Sequence, residues 1–179
     1  MPRTIVGAGL VAAMLVSSAC GYALAGRGSF LPDYIQTIGI PLFLNNTPVF
    51  EVEQMLTRQV RTEFLGRGRY RVLAAAEGVD AVLEGTINSI QVAPASFTSQ
   101  QQATRYVFTL RASIIFRDLK TNEVLWQNPQ LVFSDDYEVA SGTGDPANVA
   151  LFFGQQSNAL ERVAGDFAKT VVSSILEAF

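Results

Sequence analysis

From Thr104 to Leu119 the chain alternates strictly: Tyr106, Phe108, Leu110, Ala112, Ile114 and Phe116 fall on one phase. Thr109, Arg111, Ser113 and Arg117 fall on the other, with Val107 and Ile115 among them. A period of two with one apolar and one wet side belongs to a half-buried antiparallel strand. KTNE, residues 120–123, is a turn sequence, and VLWQNPQLVFSDDYEV, residues 124–139, returns as the hairpin partner. DAVLEGTINSIQVA, residues 80–93, predicts a longer strand with less regular alternation, closed by Pro94, and RYRVLA, residues 69–74, a short one. YIQTIGIPLFL, residues 34–44, is rich in β-branched and aromatic residues and predicts a further strand. Pro41 has no N–H to give a ladder, so it belongs at a sheet edge or a bulge.

Two segments carry the helical period instead. Val49, Val52, Leu56, Val60 and Phe64 recur at spacings of three and four, with Thr47 as N-cap, Pro48 at the first helical position and Gly66 and Gly68 at the end. From Val149 to Phe179 the chain predicts a long helix, with a candidate kink at Gly154. Leu160, Val163, Ala164, Phe167, Val171, Ile175 and Phe179 form its stripe, and Glu161, Asp166 and Lys169 lie on other faces. Both helices and the best strand are one-sided. The economical arrangement is therefore an α+β fold, a mixed or antiparallel sheet of four or five strands with two helices packed on one face. APASFTSQQQATR, residues 93–105, is uncharged until Arg105. It predicts a loop between two long strands, either a plain solvent connection or a contact loop.

The N-terminus has a different pattern. Arg3 is followed by a run from Ile5 to Val16 that is apolar apart from Gly7 and Gly9, then by Ser17, Ser18, Ala19 and Cys20. A positive n-region, a short h-region and small residues before a cut site make a secretory signal over residues 1–19. The apolar run of about a dozen residues is short of the ~20 that a membrane-spanning helix needs. Small residues directly before a cysteine resemble the lipobox of bacterial lipoproteins, in which the thiol receives a diacylglycerol and the cysteine becomes the new N-terminus. Cys20 is then the lipid attachment residue, residues 20–33 a tether, and residues 34–179 a single domain. The alternative is a buried free cysteine, a common fate of that residue. In the lipoproteins that this segment resembles, an aspartate after the cysteine often signals retention at the inner membrane, so the resemblance, with Gly21 in that place, implies outer-membrane sorting.

Composition narrows the chemistry. The 179 residues include 13 basic and 16 acidic side chains and no histidine. No clustered basic face marks a nucleic-acid binder. Without histidine the commonest general base and metal ligand are gone, and with them Ser-His and Cys-His nucleophiles. Phosphate-loop, dinucleotide and hydrolase-elbow motifs are missing. Asp135 and Asp136 are neighbours on a strand and point to opposite faces; Glu51 and Glu53 are splayed on a helix. The chain is expected to be no enzyme and to need no cofactor and no metal. The remaining signals are basic. Arg105, Arg111 and Arg117 along the regular strand, with Lys120 in the turn beyond it, are candidate anion contacts, because arginine forks match phosphate. Arg58, Arg61, Arg67, Arg69 and Arg71 crowd the first helix and the strand after it. Trp126 is a sheet-packing residue before it is a binding hot spot.

Several stretches together resemble the lipopolysaccharide-assembly lipoproteins, the LptE family. CGYALAG after the lipobox is similar to that family's opening. YIQTIGIPLFLNNTPVFEVEQMLTRQVRTEFLGRGRYRV resembles its first strand and helix. DAVLEGTINSI, the segment SFTS to EVLW and the closing FAKTVVSSILEAF follow in the family's order. The resemblance implies a sheet with two helices and a non-enzymatic role at the outer membrane, lipid-anchored on its periplasmic side. The expected partner is a large LptD-type β-barrel, which such a protein plugs, helps to assemble, and aids in delivering lipopolysaccharide to the cell surface. Lipopolysaccharide becomes the expected ligand of Arg105, Arg111, Arg117 and Lys120. A second reading is a periplasm-facing lipoprotein that binds and regulates an envelope-synthesis enzyme.

Overall fold

The computed structural model describes residues 31–97, 99, 103–138 and 146–178, the stretch 146–153 by its backbone alone. The first strand segment is split in two, β1 (Thr37–Gly39) and β2 (Leu44–Asn45), with Pro41 between them. The Ile40 carbonyl is taken instead by the Arg61 guanidinium, from Nε at 2.9 Å and Nη2 at 2.6 Å. Helix α1 (Val52–Gly66) buries Val52, Leu56, Val60 and Phe64 of the expected stripe, while Val49 and Pro48, expected in its first turn, lie before it. Then come β3 (Arg71–Leu73), β4 (Ala81–Phe97), β5 (Ala103–Asp118), β6 (Val124–Glu138) and helix α2 (Pro146–Leu176).

One mixed sheet has the order β3-β1-β4-β5-β6, with β2 also on the β4 edge, which makes six strands. β1 is parallel to β3 and β4, whereas β4, β5 and β6 form an antiparallel meander. The two helices pack on each other and on one face of the sheet. Gly39 lets the β1–β3 edge close, since a Cβ there would stand 2.3 Å from the Ala75 carbonyl oxygen. Gly85 makes room for the Phe43 ring and the Ile114 methyl, each 2.8 Å from where its Cβ would be.

Several local expectations are corrected. Thr47 does not cap α1. Its amide and hydroxyl both donate to Asn45 Oδ1, at 2.9 and 2.8 Å, and its oxygen accepts from Val49 N. Asn45 closes this turn by donating to Val49 O and Glu53 Oε2, and the helix begins after Glu51, which is left-handed at φ 63°. With Thr47 committed to that turn, no side chain among the described residues caps the helix. The irregular alternation of β4 is a bulge. Leu83, Gly85 and Ile87 pair with Phe116, Ile114 and Ala112, Asn88 is extra, and Ile90 and Val92 then pair with Leu110 and Phe108. One inserted residue shifts the phase by one, which keeps the same face of β4 towards the helices. β6 uses the same device at Pro129 and Gln130, between the pairs Ala112–Leu131 and Ile114–Asn128. Residues 93–97 and 103–105 are strand rather than loop, so β4 and β5 run on as a hairpin whose tip, at 98–102, lies mostly outside the described residues.

Two aspartates tie the opposite end of the sheet. Asp80 Oδ2 accepts from the Thr37 hydroxyl, Thr37 N and Gln36 N at 2.6, 2.8 and 3.0 Å. Asp118, buried at the end of β5, accepts from Lys120 N, Thr121 N and the Tyr34 hydroxyl. The Thr37 hydroxyl and the two amides hold the Asp80 carboxyl below the usual carboxylate range. Burial pushes Asp118 upward, but the Tyr34 hydroxyl and the Lys120 and Thr121 amides outweigh it and leave that group lowered too. A carboxyl depressed in the folded state binds protons less readily than the unfolded chain does. Its stabilisation is complete above the unfolded value of about 3.9 and is lost as pH falls through the lower folded value. Urea midpoints at pH 7, 4 and 3 should therefore fall steeply below pH 4, and less steeply in Asp80→Asn/Asp118→Asn. Parallel acid limbs in the two proteins would contradict this account.

Candidate functional site

The helices cover one face of the sheet, and among the described residues nothing covers the other. On the open face β4 presents Thr86, Ser89 and Gln91, β5 presents Thr109, Arg111 and Ser113, and β6 presents Val132 and Ser134. These are short hydroxyl and amide side chains with few charges. Thr109 and Ser134 share a hydrogen bond of 3.1 Å, and Asn88 Nδ2 lies 3.4 Å from Ser113 Oγ. At the β2 side a depression of about 420 Å³ is lined by Pro41, Leu42, Leu44, Thr86, Ser113 and Ile115. Leu42 and Leu44 are 53% and 67% exposed, an apolar ridge along its rim.

Arg105, Arg111 and Arg117 stand on this face in a line. Twelve residues of strand separate the outer two, about 40 Å. They form a ladder and do not converge. Arg105 approaches Asp136 at 3.6 Å and Glu138 at 3.7 Å, all well exposed, so the pairs hold it only weakly. Arg117 Nη1 reaches the Asn122 carbonyl at 3.5 Å. Lys120 lies with its ammonium 4.7 Å from the centroid of the Tyr34 ring. The Arg111 guanidinium enters no hydrogen bond or ion pair among the described residues, and it sits mid-sheet between Ser89 and Val132.

The other candidates separate by role. Asp135 faces the helices, where Oδ2 accepts from Arg162 Nε at 2.7 Å and Nη2 at 2.6 Å, while Asp136 faces the open side. Arg61 holds the Ile40 carbonyl, and Arg67 pairs with Glu63 at 2.9 Å and donates to Ser173 Oγ. Arg58, Arg69 and Arg71 are exposed. Trp126, opposite Phe116, packs half-buried against the core. Among the described residues no group of three His, Cys, Asp or Glu could hold a metal, and no helix is long and apolar enough to cross a membrane. Cys20 and residues 1–30 lie outside the described residues.

Sequence reasoning missed the far half of the β4–β5 hairpin. α1 spans about 22 Å at 1.5 Å per residue, whereas β4, at 17 residues, spans about 55 Å. Gln91 to Ala95 are exposed, and from Gly85 to Thr104 there is no charged residue. That uncharged stretch is visible in the sequence; its exposure is not. The exposed Leu42 and Leu44 were hidden inside a strand-like apolar run.

The model of the family described as LptE, Lipopolysaccharide-assembly, matches residues 35–175. A search of curated proteins finds no match. Among solved structures, the rare lipoprotein B of Shewanella oneidensis is similar with a TM-score of 0.53 at 16% identity, over 80% of this chain and 98% of that one. A minor lipoprotein of Acinetobacter baumannii has a TM-score of 0.53 at 14% identity, over 82% and 95%. The hypothetical protein CT253 of Chlamydia trachomatis has 0.52 at 9% identity, over 79% and 98%. At these identities the structural likeness is one of fold.

Proposed function

The chain belongs to the LptE family of lipopolysaccharide-assembly proteins, and from that membership we propose that it is an outer-membrane lipoprotein, anchored through Cys20, that partners and plugs an LptD-type β-barrel. In this reading it aids the barrel's assembly and the delivery of lipopolysaccharide to the cell surface, and it catalyses nothing. The observation that carries the reading is the family match across residues 35–175, nearly the whole domain. Shape supports it. The meander is about 50 Å long, enough to run through the ~25 Å apolar band of an outer-membrane barrel. Its open face is broad, and such a surface suits a protein wall better than an enclosed small-molecule pocket. Arg105, Arg111, Arg117 and Lys120 are the proposed contacts for the phosphates of passing lipopolysaccharide, with Arg111 the most available of them.

The test is a pull-down of the tagged full-length protein from native envelopes in mild detergent, with the stoichiometric partner identified by mass. An outer-membrane barrel at one-to-one is the expected result. A soluble or inner-membrane enzyme with no barrel would overturn the plug and favour a regulatory lipoprotein.

A further inference from the structure

The basic run between α1 and β3 is not used by the plug reading, and its position gives it a meaning. Leu31, the first described residue, is buried, and the chain enters the domain through a hollow of about 310 Å³ that Leu31, Pro32 and Asp33 share with Arg69 and Arg71. Arg67 is committed to Glu63 and Ser173. The guanidinium groups of Arg69 and Arg71 are exposed and enter no hydrogen bond or ion pair among the described residues. Leu73, on the same side of β3 as Arg71, is 37% exposed, and Leu65 on the last turn of α1 is 56% exposed. Exposed leucine beside exposed arginine is the composition of a surface that meets a lipid interface, with apolar stems below the phosphates and guanidinium groups at them.

We propose that the turn between α1 and β3 docks on an anionic phospholipid bilayer, with Arg69 and Arg71 on headgroup phosphates and Leu65 and Leu73 at the interface. The orientation this assigns rests on the anchoring reading. Residues 21–30 separate Cys20 from Leu31, so even full extension places the acylated end no farther than about 40 Å away. In the anchoring reading the arginines at the entry point are therefore held within about 40 Å of the membrane surface. Screening confines their attraction to about 8 Å at physiological salt, so a surface contact is required. The whole chain carries a formal charge of −3, and an anionic bilayer repels it on average. A local basic patch then turns this one edge towards the lipid. The far end of the β4–β5 hairpin points away from that contact.

The experiment uses the mature chain, residues 20–179 with Cys20→Ser, so that neither an acyl group nor the apolar run of residues 1–19 contributes, and measures co-flotation with vesicles. Vesicles of phosphatidylglycerol and phosphatidylcholine should bind it at low salt, and vesicles of phosphatidylcholine alone should not. Arg69→Gln should lower the partition about five-fold, and Arg69→Gln/Arg71→Gln about 25-fold, since each basic residue near an anionic surface contributes a similar factor. Arg69→Lys/Arg71→Lys should keep most of the binding. Arg58→Gln makes the same charge change nine residues before Arg67, about 13 Å away and half a turn round the helix, and should change it less than two-fold. Equal binding to neutral and anionic vesicles would overturn the proposal, as would an Arg58→Gln loss as large as that of Arg69→Gln. Capture by lipopolysaccharide aggregates without capture by phosphatidylglycerol vesicles would overturn it too. Because the protein tested is unacylated, failure here leaves the anchoring at Cys20 untouched, and failure of the anchoring leaves this result readable.

Discussion

Phe167→Ala should lower the stability of the domain by about 3–5 kcal/mol, the cost of removing a large aromatic from a closed core. Phe167 is fully buried on α2. Its ring meets Phe43 edge-on at 6.3 Å and Phe133 at 5.4 Å. Phe43 comes from the segment between β1 and β2 and lies on Gly85, and Phe133 comes from β6. One side chain therefore ties α2 to both the first and the last part of the sheet. Each edge-to-face contact adds about 0.5–1.5 kcal/mol beyond area burial, and a rigid sheet below cannot collapse to fill the space. With a shift of about 2–4 °C per kcal/mol at this size, the melting temperature should drop by about 10–15 °C. Phe50→Ala removes the same ring from a site 91% exposed and should stay within about 0.5 kcal/mol. Thermal and urea melts of the two variants check this directly. A Phe167→Ala loss below about 1.5 kcal/mol would show that α2 is held elsewhere.

Cys20→Ser, secreted behind an ordinary cleavable signal in place of residues 1–19, should release the mature protein from washed membranes. A thioether-linked diacylglycerol buries two acyl chains at about 0.8 kcal/mol per CH₂, and two chains are enough for stable anchoring where one is not. Serine offers no thiol to the transfer step, so the whole of that attachment is removed at once. The surface contact proposed for Arg69 and Arg71 is reversible and salt-sensitive, and a high-salt wash removes it. The partner barrel is a second source of retention. Fractionation should therefore be done in high salt and in cells depleted of the barrel, where the wild-type protein should stay in the pellet and the variant should move to the supernatant. A variant that still pellets under those conditions would sink the anchoring role of Cys20. Mass measurement of the wild-type N-terminus then reports whether the cysteine carries lipid.

The sequence by itself determined the parts and their sides. Period two in β5 and period 3.6 in the two helices announced which residues would be buried, and Phe108, Leu110, Phe64, Phe167 and Ile175 are. Local pattern suffices there because a one-sided strand or helix has a single way to hide its apolar face. The missing histidine and the separation of Asp135 from Asp136 were legible for the same reason, since they depend only on composition and strand geometry. Tertiary structure decided everything that depends on partners distant in the chain. Asn88 could be recognised as a bulge only once Ile87 and Ile90 were paired against Ala112 and Leu110. The first strand divides around Pro41 because the Ile40 carbonyl finds Arg61, 21 residues on. Thr47 has the local chemistry of an N-cap, but Asn45 competes for its hydroxyl and wins. Of the basic residues, three became a ladder along β5, two went to Ile40 and Ser173, and two came to lie beside the point where the chain enters the fold. Side-chain type sets what an arginine can bind, but register and packing decide what stands next to it, and those are properties of the whole chain.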